Sequence, residues 1–183
     1  PSESKPRPHR TAMNNQTRIL GLAAAASLAL ASGSAAQQAL YKVNNPDNLN
    51  QLTSWSTASG AQTPNPVTFN AGDQWYFNEV TMLGDKTVAL GGNIAVGGLA
   101  LDYVTSNTAN SLVISAGNTL TLNGASLGGQ GVAGASYTGA GMVLNRGVGG
   151  TLTIHADVAL GAAQQWVVGR NTAGNPVTVT GAI

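Results

Sequence analysis

Short stretches in the second half of the chain alternate Leu, Ile or Val with Thr or Ser. Examples are "SLVIS" (111–115), "TLTL" (119–122), "TLTIHADVAL" (151–160) and "PVTVT" (176–180). Successive side chains of a β-strand point to opposite faces, so a period of two predicts strands with one buried and one wet face. The positions predicted to face inward are ten aliphatic residues: Leu112, Ile114, Leu120, Leu122, Leu152, Ile154, Val158, Leu160, Val177 and Val179.

No stretch after residue 37 keeps a helical period for ten residues without a Gly or Pro break, which predicts an all-β protein. Similar strands return at a nearly constant interval, from Val88 to Leu112 and from Leu152 to Val177, and this spacing is typical of one solenoid coil. Stacked coils would form parallel sheets around a narrow aliphatic core, with Gly and Asn at the corners. The predicted fold is therefore a parallel β-helix (β-solenoid), and a β-sandwich is the alternative.

Two interruptions are expected in this pattern. The letters "AGN" at 116–118 predict a corner between two sides of one coil, and Asn93 and Asn123 fall where further corners are expected. Residues 126–141, "SLGGQGVAGASYTGAG", predict a long glycine-rich loop.

The first part of the chain has a different character. Residues 13–36 have the three-part layout of a secretory signal peptide: Arg18 in a polar start, an apolar run, and small residues before a cut after Ala36. Residues 1–12 are interpreted as a leader or an over-extended reading frame, and residues 37–66 as an N-terminal lead-in or cap. Residues 67–183 are assigned to solenoid repeats, and we expect further repeats beyond Ile183.

Removal of residues 1–36 changes the charge balance. Four basic and six acidic side chains remain, a net charge of minus two, so no basic patch is left for nucleic acid. The apolar run of the signal peptide is too short to span a bilayer comfortably, and no transmembrane segment is predicted in the mature chain. Because the sequence contains no Cys, thiol chemistry and Cys-ligated metals are excluded.

Three motifs resemble a known family of bacterial proteins. They are Trp55-Ser56, the turn Ala71-Gly72-Asp73 before an aromatic strand, and a pattern that comprises Gln164, Trp166, Val168, Gly169, Val177, Val179 and Gly181. Over residues 50–183 the chain resembles the start of proteins with autotransporter-associated β-strand repeats. The resemblance implies a right-handed parallel β-helix that forms the secreted or surface-displayed passenger region of a larger protein, and it assigns no catalytic residues.

Several residues are chemical candidates. Gly129-x-Gly131-x-x-Gly134, with Asp157 downstream, fits a dinucleotide fingerprint in letters, but the glycines that follow exclude the helix that would bind a pyrophosphate. His155 and Asp157 share the outward face of one strand and are interpreted as solvent-facing residues. The scattered carboxylates Asp73, Glu79, Asp85 and Asp102 are interpreted as turn-capping groups. No catalytic, cofactor-binding or metal-binding residue is predicted, and no cofactor.

The aromatic strand "DQWYF" (73–77) leaves a binding role open. At least one of Trp75, Tyr76 and Phe77 should be buried and its neighbours should face outward, where they could stack on sugars or cover the end of the coil. The favoured hypothesis is a non-enzymatic, adhesin-like scaffold at the cell surface, in the outer membrane or outside the cell, with surface glycans or other cell-surface molecules as partners. Self-association through an exposed terminal rung is also expected. The alternative is the N-terminal part of a polysaccharide lyase or hydrolase, or a carbohydrate-binding module.

Overall fold

A computed structural model describes residues 37–78, 84–103, 111–127, 137–146, 151–168 and 177–183. These residues form short strands and one turn of 3-10 helix, Leu52–Ser54. The strands are β1 (Ala39–Lys42), β2 (Trp55–Ser56), β3 (Gln74–Asn78), β4 (Lys86–Val88), β5 (Ile94–Val96), β6 (Gly98–Tyr103), β7 (Leu112–Ile114), β8 (Thr119–Leu122), β9 (Ala125–Leu127), β10 (Tyr137–Arg146), β11 (Leu152–Ile154), β12 (Asp157–Leu160), β13 (Gln165–Val168) and β14 (Val177–Val179). The protein is therefore all-β, as predicted.

The strands form three sheets. Sheet 1 has the order β13-β10-β6-β3-β1-β2, with β9 also paired to β10. Sheet 2 has the order β14-β11-β7-β4, and sheet 3 the order β12-β8-β5. Pairing is parallel except between β1 and β2 and between β9 and β10.

From β3 onward the chain visits the three sheets in a constant order. β3, β4 and β5 lie in sheets 1, 2 and 3, and the same order repeats with β6, β7 and β8 and again with β10, β11 and β12. We call one such series of strands in sheets 1, 2 and 3 a passage. β13 in sheet 1 and β14 in sheet 2 begin a fourth passage. "AGN" (116–118) connects β7 of sheet 2 with β8 of sheet 3, at the position where the sequence predicts a corner.

Parallel strands align like residues in columns, by which we mean residues at the same register position on neighbouring strands. In sheet 2 one column contains Val88, Ile114, Ile154 and Val179. The interval from Leu152 to Val177 matches the register, because these two residues pair with each other. The interval from Val88 to Leu112 does not, because Val88 pairs with Ile114 and Leu112 pairs with Lys86. The passage from β7 to β11 is longer than the others because β9 and the first part of β10 are inserted there.

Most of the predicted inward residues form the main core. Seven of the ten are at most 2% exposed, and Val177 and Val179 are half-buried and packed against them. The intervening Ser, Thr, His and Asp residues that the structure describes are half-buried or exposed. Leu160 is the exception: it is 53% exposed, although its column neighbour Leu122 is fully buried, because β12 is the last described strand of sheet 3.

Sheet 1 is covered on both faces. One face contributes Trp75 and Phe77 to the main core, and the other packs a second cluster in which Tyr76 stacks on Tyr41 with ring centroids 5.2 Å apart. Tyr76 is only 2% exposed, so the expectation that the neighbours of a buried aromatic residue face solvent is wrong here. Leu127 of β9 and Val143 of β10 also belong to this second cluster, which therefore shields the outer face.

Two further expectations are modified. Residues 126–141 are not only a loop, because their two ends belong to β9 and β10 and pair antiparallel, Tyr137 with Leu127 and Ala140 with Ala125. Residues 37–66 contain β1, β2 and the 3-10 turn; β1 pairs with β3, and Leu49 and Asn50 donate backbone hydrogen bonds to Ala89 O and Leu90 O. The predicted leader (1–12), signal peptide (13–36) and residues 128–136, including Gly129, Gly131 and Gly134, lie outside the described residues.

Candidate functional site

His155 follows β11 and Asp157 begins β12, so the prediction that they share one strand is wrong. Both side chains are exposed, as predicted. His155 Nδ1 lies 2.6 Å from Thr180 Oγ1, and Asp157 Oδ1 accepts a hydrogen bond from Ala182 N at 2.9 Å. Both partners belong to the next passage through the sheets. The contacts bind neighbouring passages to one another and do not form the imidazole–carboxylate pair that a general base requires.

The same kind of contact recurs at other turns. Asp85 Oδ1 accepts from Ser111 N at 2.7 Å, and Asn93 Oδ1 accepts from Thr119 N at 2.9 Å, in both cases one passage later. Backbone amides near the ends of strands lack a regular partner, and a side-chain oxygen one passage earlier satisfies them here. We call these bonds rung staples. They assign Asp85 and Asp157 to structural roles.

Asp73 is the most buried carboxylate among the described residues, with no exposed surface. Its two oxygens accept hydrogen bonds from Gln38 N at 3.0 Å and from Asn70 N at 2.7 Å. Asp73 N in turn donates to Asn70 O, which closes the turn predicted from Ala71-Gly72-Asp73. The carboxylate therefore fixes the turn before β3 and presents no free oxygen to a substrate. Glu79 and the side chain of Asp102 lie outside the described residues.

The aromatic side chains of β2 and β3 are packed inside the protein. Trp55 stacks on Trp75 with ring centroids 4.5 Å apart and meets Phe77 edge-on at 5.6 Å, and all three are fully buried. Trp55 Nε1 donates to Leu49 O at 2.8 Å, which ties the lead-in segment to this cluster. None of Trp75, Tyr76 and Phe77 is available for stacking on a sugar ring.

The burial of Lys42 is not predicted from the sequence. Lys42 is 1% exposed, and its Nζ donates to Val43 O at 2.8 Å, Asn45 O at 3.1 Å and Asn45 Oδ1 at 2.8 Å. Side-chain parity indicates this burial, because Lys42 lies two positions after Leu40 on β1 and so shares its face. Burial lowers the pKa of the Lys42 ammonium to about 8, and Coulombic attraction from Asp47 partly opposes this effect.

The hydrogen bonds of Lys42 determine what the amine can do. An ammonium group has three protons, and Lys42 Nζ has three acceptors at hydrogen-bond distance, all supplied by residues 43–45. A nucleophilic lysine needs its lone pair directed towards a substrate. Lys42 instead holds the turn after β1, so the geometry supports a structural role despite the lowered pKa.

A polar cleft lies between this turn and sheet 2. Its volume is about 320 Å³, and it is lined by Asn44, Asn45, Pro46 and residues 85–88 at β4. This volume is at the lower end of the range for small-molecule sites. Lys86 and Thr87 give the cleft hydrogen-bonding groups of both polarities, a chemistry that suits hydroxyl-rich ligands. The side chains of Asn45 and Asp85 already bond within the fold. Among the described residues, this cleft is a candidate binding site for a small polar ligand.

Other site types are not formed by the residues that the structure describes. These residues contain no group of three or more His, Asp or Glu side chains placed to hold a metal ion. Within the same ranges, none of the helical structure has the length and apolar character needed to cross a bilayer.

Comparisons with known proteins add no relative. No family model matches the chain, and no curated protein or solved structure matches it significantly.

Proposed function

We propose that the chain is a non-enzymatic, exported scaffold built as a right-handed parallel β-helix. In this proposal it forms the passenger-type repeat region of a bacterial surface or secreted protein, with an adhesin-like role. The observation that carries the proposal is the repeated visit to sheets 1, 2 and 3, with parallel strands of successive passages aligned in register. A right-handed path is the strongly preferred one for a connection between parallel strands of one sheet.

The use of the polar side chains supports a scaffold over an enzyme. Asp73, Asp85, Asp157 and His155 each bond to another part of the fold, and Asp47 accepts from Asn45 Nδ2 and Thr53 Oγ1. Catalysis of glycan cleavage needs two carboxyl groups that face one substrate bond. The described carboxylates are instead distributed along the sheets as structural acceptors.

Export is part of the same proposal and has a direct test. Expression of the full chain in a Gram-negative host, followed by fractionation and N-terminal sequencing, should give a mature protein that begins at Gln37 in the periplasm, at the surface or in the medium. An uncleaved chain retained in the cytoplasm would contradict export. Purified protein, tested with and without Ca²⁺, should leave acidic and neutral polysaccharides intact, whereas clear depolymerisation would contradict the scaffold.

The polar cleft favours a carbohydrate-binding module as the second candidate. Titration with neutral oligosaccharides, monitored by amide chemical shifts, should perturb residues 44–46 and 85–88 if the cleft binds sugars. Thr87→Ala should weaken such binding, and Thr178→Ala is the matched control, since both residues are exposed Thr at the centre of a strand in sheet 2. The absence of shifts at millimolar sugar would eliminate this candidate.

A further inference from the structure

Lys86 occupies a core position that is apolar in the three later passages. In sheet 2 it shares a column with Leu112, Leu152 and Val177. Leu112 and Leu152 are fully buried, and Lys86 is half-buried. A lysine is normally solvated, because the transfer of an unpaired ammonium group out of water is costly. Here the column ends at the polar cleft, and Lys86 lines that cleft.

The Lys86 ammonium group is not neutralised by the residues that the structure describes. Within these ranges no hydrogen bond or ion pair engages its Nζ. A second cation lies nearby, because the Lys86 charge adds to the larger effect of burial in lowering the pKa of Lys42. Asp47 attracts the Lys42 ammonium, but its Oδ2 already accepts a hydrogen bond from Asn45 Nδ2. The wall of the cleft therefore offers an unpaired positive charge.

The edge of β4 adds backbone groups to the same cleft. Among the described strands of sheet 2, β4 lies at the edge and pairs with β7. Lys86 N donates to Ser111 O and Val88 O accepts from Ser115 N, both at 2.8 Å, so residues 86 and 88 bond towards β7. Backbone groups alternate in direction along a strand. The N–H and C=O of Thr87 consequently point away from β7, towards the cleft that this residue lines.

Asp85 limits the charge that a ligand in the cleft can carry. Its Oδ1 is engaged in the rung staple to Ser111 N, and its Oδ2 has no hydrogen-bond partner among the described residues. A second negative charge on a ligand is repelled by this carboxylate, whereas a hydroxyl group can donate to Oδ2. The volume of about 320 Å³ suits one sugar unit better than a long chain.

We propose that the cleft binds a uronic acid unit, a sugar that carries one carboxylate and several hydroxyl groups. The carboxylate accepts hydrogen bonds from Lys86 Nζ and Thr87 N, and the hydroxyl groups donate to Thr87 O and Asp85 Oδ2. Charge-assisted hydrogen bonds are about twice as strong as neutral ones, so the carboxylate provides most of the selectivity. The proposal rests on the second candidate function, since it names the class of sugar that the same cleft takes.

The test compares methyl glucuronide with methyl glucoside, in which a hydroxymethyl group replaces the carboxylate. In a titration of the isotope-labelled full chain, the amide of Thr87 should shift most. The dissociation constant of the glucuronide should be about fivefold or more below that of the glucoside. Because the additional contact is ionic, NaCl should weaken the binding of the glucuronide and leave that of the glucoside unchanged.

A pair of variants assigns the selectivity to Lys86. Lys86→Met should remove it, so that both sugars bind with the dissociation constant of the glucoside. The variant should fold, because the other members of this column are Leu and Val. Val168→Glu is the matched control: it makes the same change in net charge at an exposed position on β13, in the fourth passage, and should keep the preference.

Three outcomes would overturn the proposal. Equal binding of the two sugars, or a preference that survives in Lys86→Met, would reject the uronic acid and leave the second candidate function standing. Inorganic phosphate that binds as tightly as the glucuronide would also reject it, because the cleft would then be a general anion site. The absence of shifts with both sugars would eliminate the second candidate function as well, so the two failures are distinguishable. Export is tested separately.

Discussion

Leu122 and Leu160 offer an internal comparison, because they are the same residue in the same column of sheet 3. Leu122 is fully buried in the main core and Leu160 is 53% exposed on the last described strand. Replacement of Leu122 by Ala removes three carbon groups, worth about 2.4 kcal/mol at roughly 0.8 kcal/mol each. The cavity left in a packed core raises the cost to about 3–4 kcal/mol.

The expected cost for Leu160→Ala is much smaller. About half of this side chain is already in water, which reduces the loss to about 1 kcal/mol, and no closed cavity forms. Urea unfolding, followed by the fluorescence of the buried Trp55 and Trp75, measures both values. Equal destabilisation by the two substitutions would refute the placement of β8 inside sheet 3 and of β12 as its last described strand.

Three further substitutions test individual contacts. Burial lowers the pKa of Lys42 from 10.5 to about 8. Between these two pH values the unfolded chain holds more protons than the folded chain, so the free energy of unfolding should rise with pH. Lys42→Met should abolish that rise, which urea titrations at several pH values can measure. Asp157→Ala should cost about 0.5–1.5 kcal/mol because Ala182 N loses its acceptor, whereas Asp157→Asn, which keeps an acceptor oxygen, should unfold at nearly the original urea concentration. Gly97→Ala should destabilise the protein by about 1–3 kcal/mol, because the new Cβ would collide with Gly72 O and lie 2.6 Å from Ala125 Cβ; Gly72→Ala, which meets nothing within 4 Å, should lower the melting temperature much less.

Side-chain parity predicts the inner columns because it depends on local geometry alone. Leu112 and Ile114 lie two positions apart on β7, point the same way and are both fully buried. Parity shows which face a residue occupies, but not what lies beyond that face. It therefore places Leu160 inside, although no described strand follows β12 in sheet 3, and leaves Tyr76 exposed, although a second cluster covers its face.

The register between strands and the hydrogen bonds between distant residues could not be predicted from the sequence, for a related reason. Val88 could align with Leu112 or with Ile114, because both are aliphatic residues predicted to face inward. The packing of whole sheets selects Ile114. The outward position of His155 and Asp157 was predictable, whereas their partners on the next passage depend on that same register. The burial of Lys42 was not predicted because a lysine side chain is normally solvated, and only the folded turn at 43–45 provides its three acceptors.

Backbone contacts between strands test the central claim most directly, and nuclear Overhauser spectra of the isotope-labelled chain can measure them. The account predicts that Thr153 contacts both Val113 of the preceding passage and Thr178 of the following one, with the amide-to-Hα pattern of parallel strands. Strong Hα–Hα contacts between β7 and β8, which would show an antiparallel hairpin as in a sandwich, would contradict it.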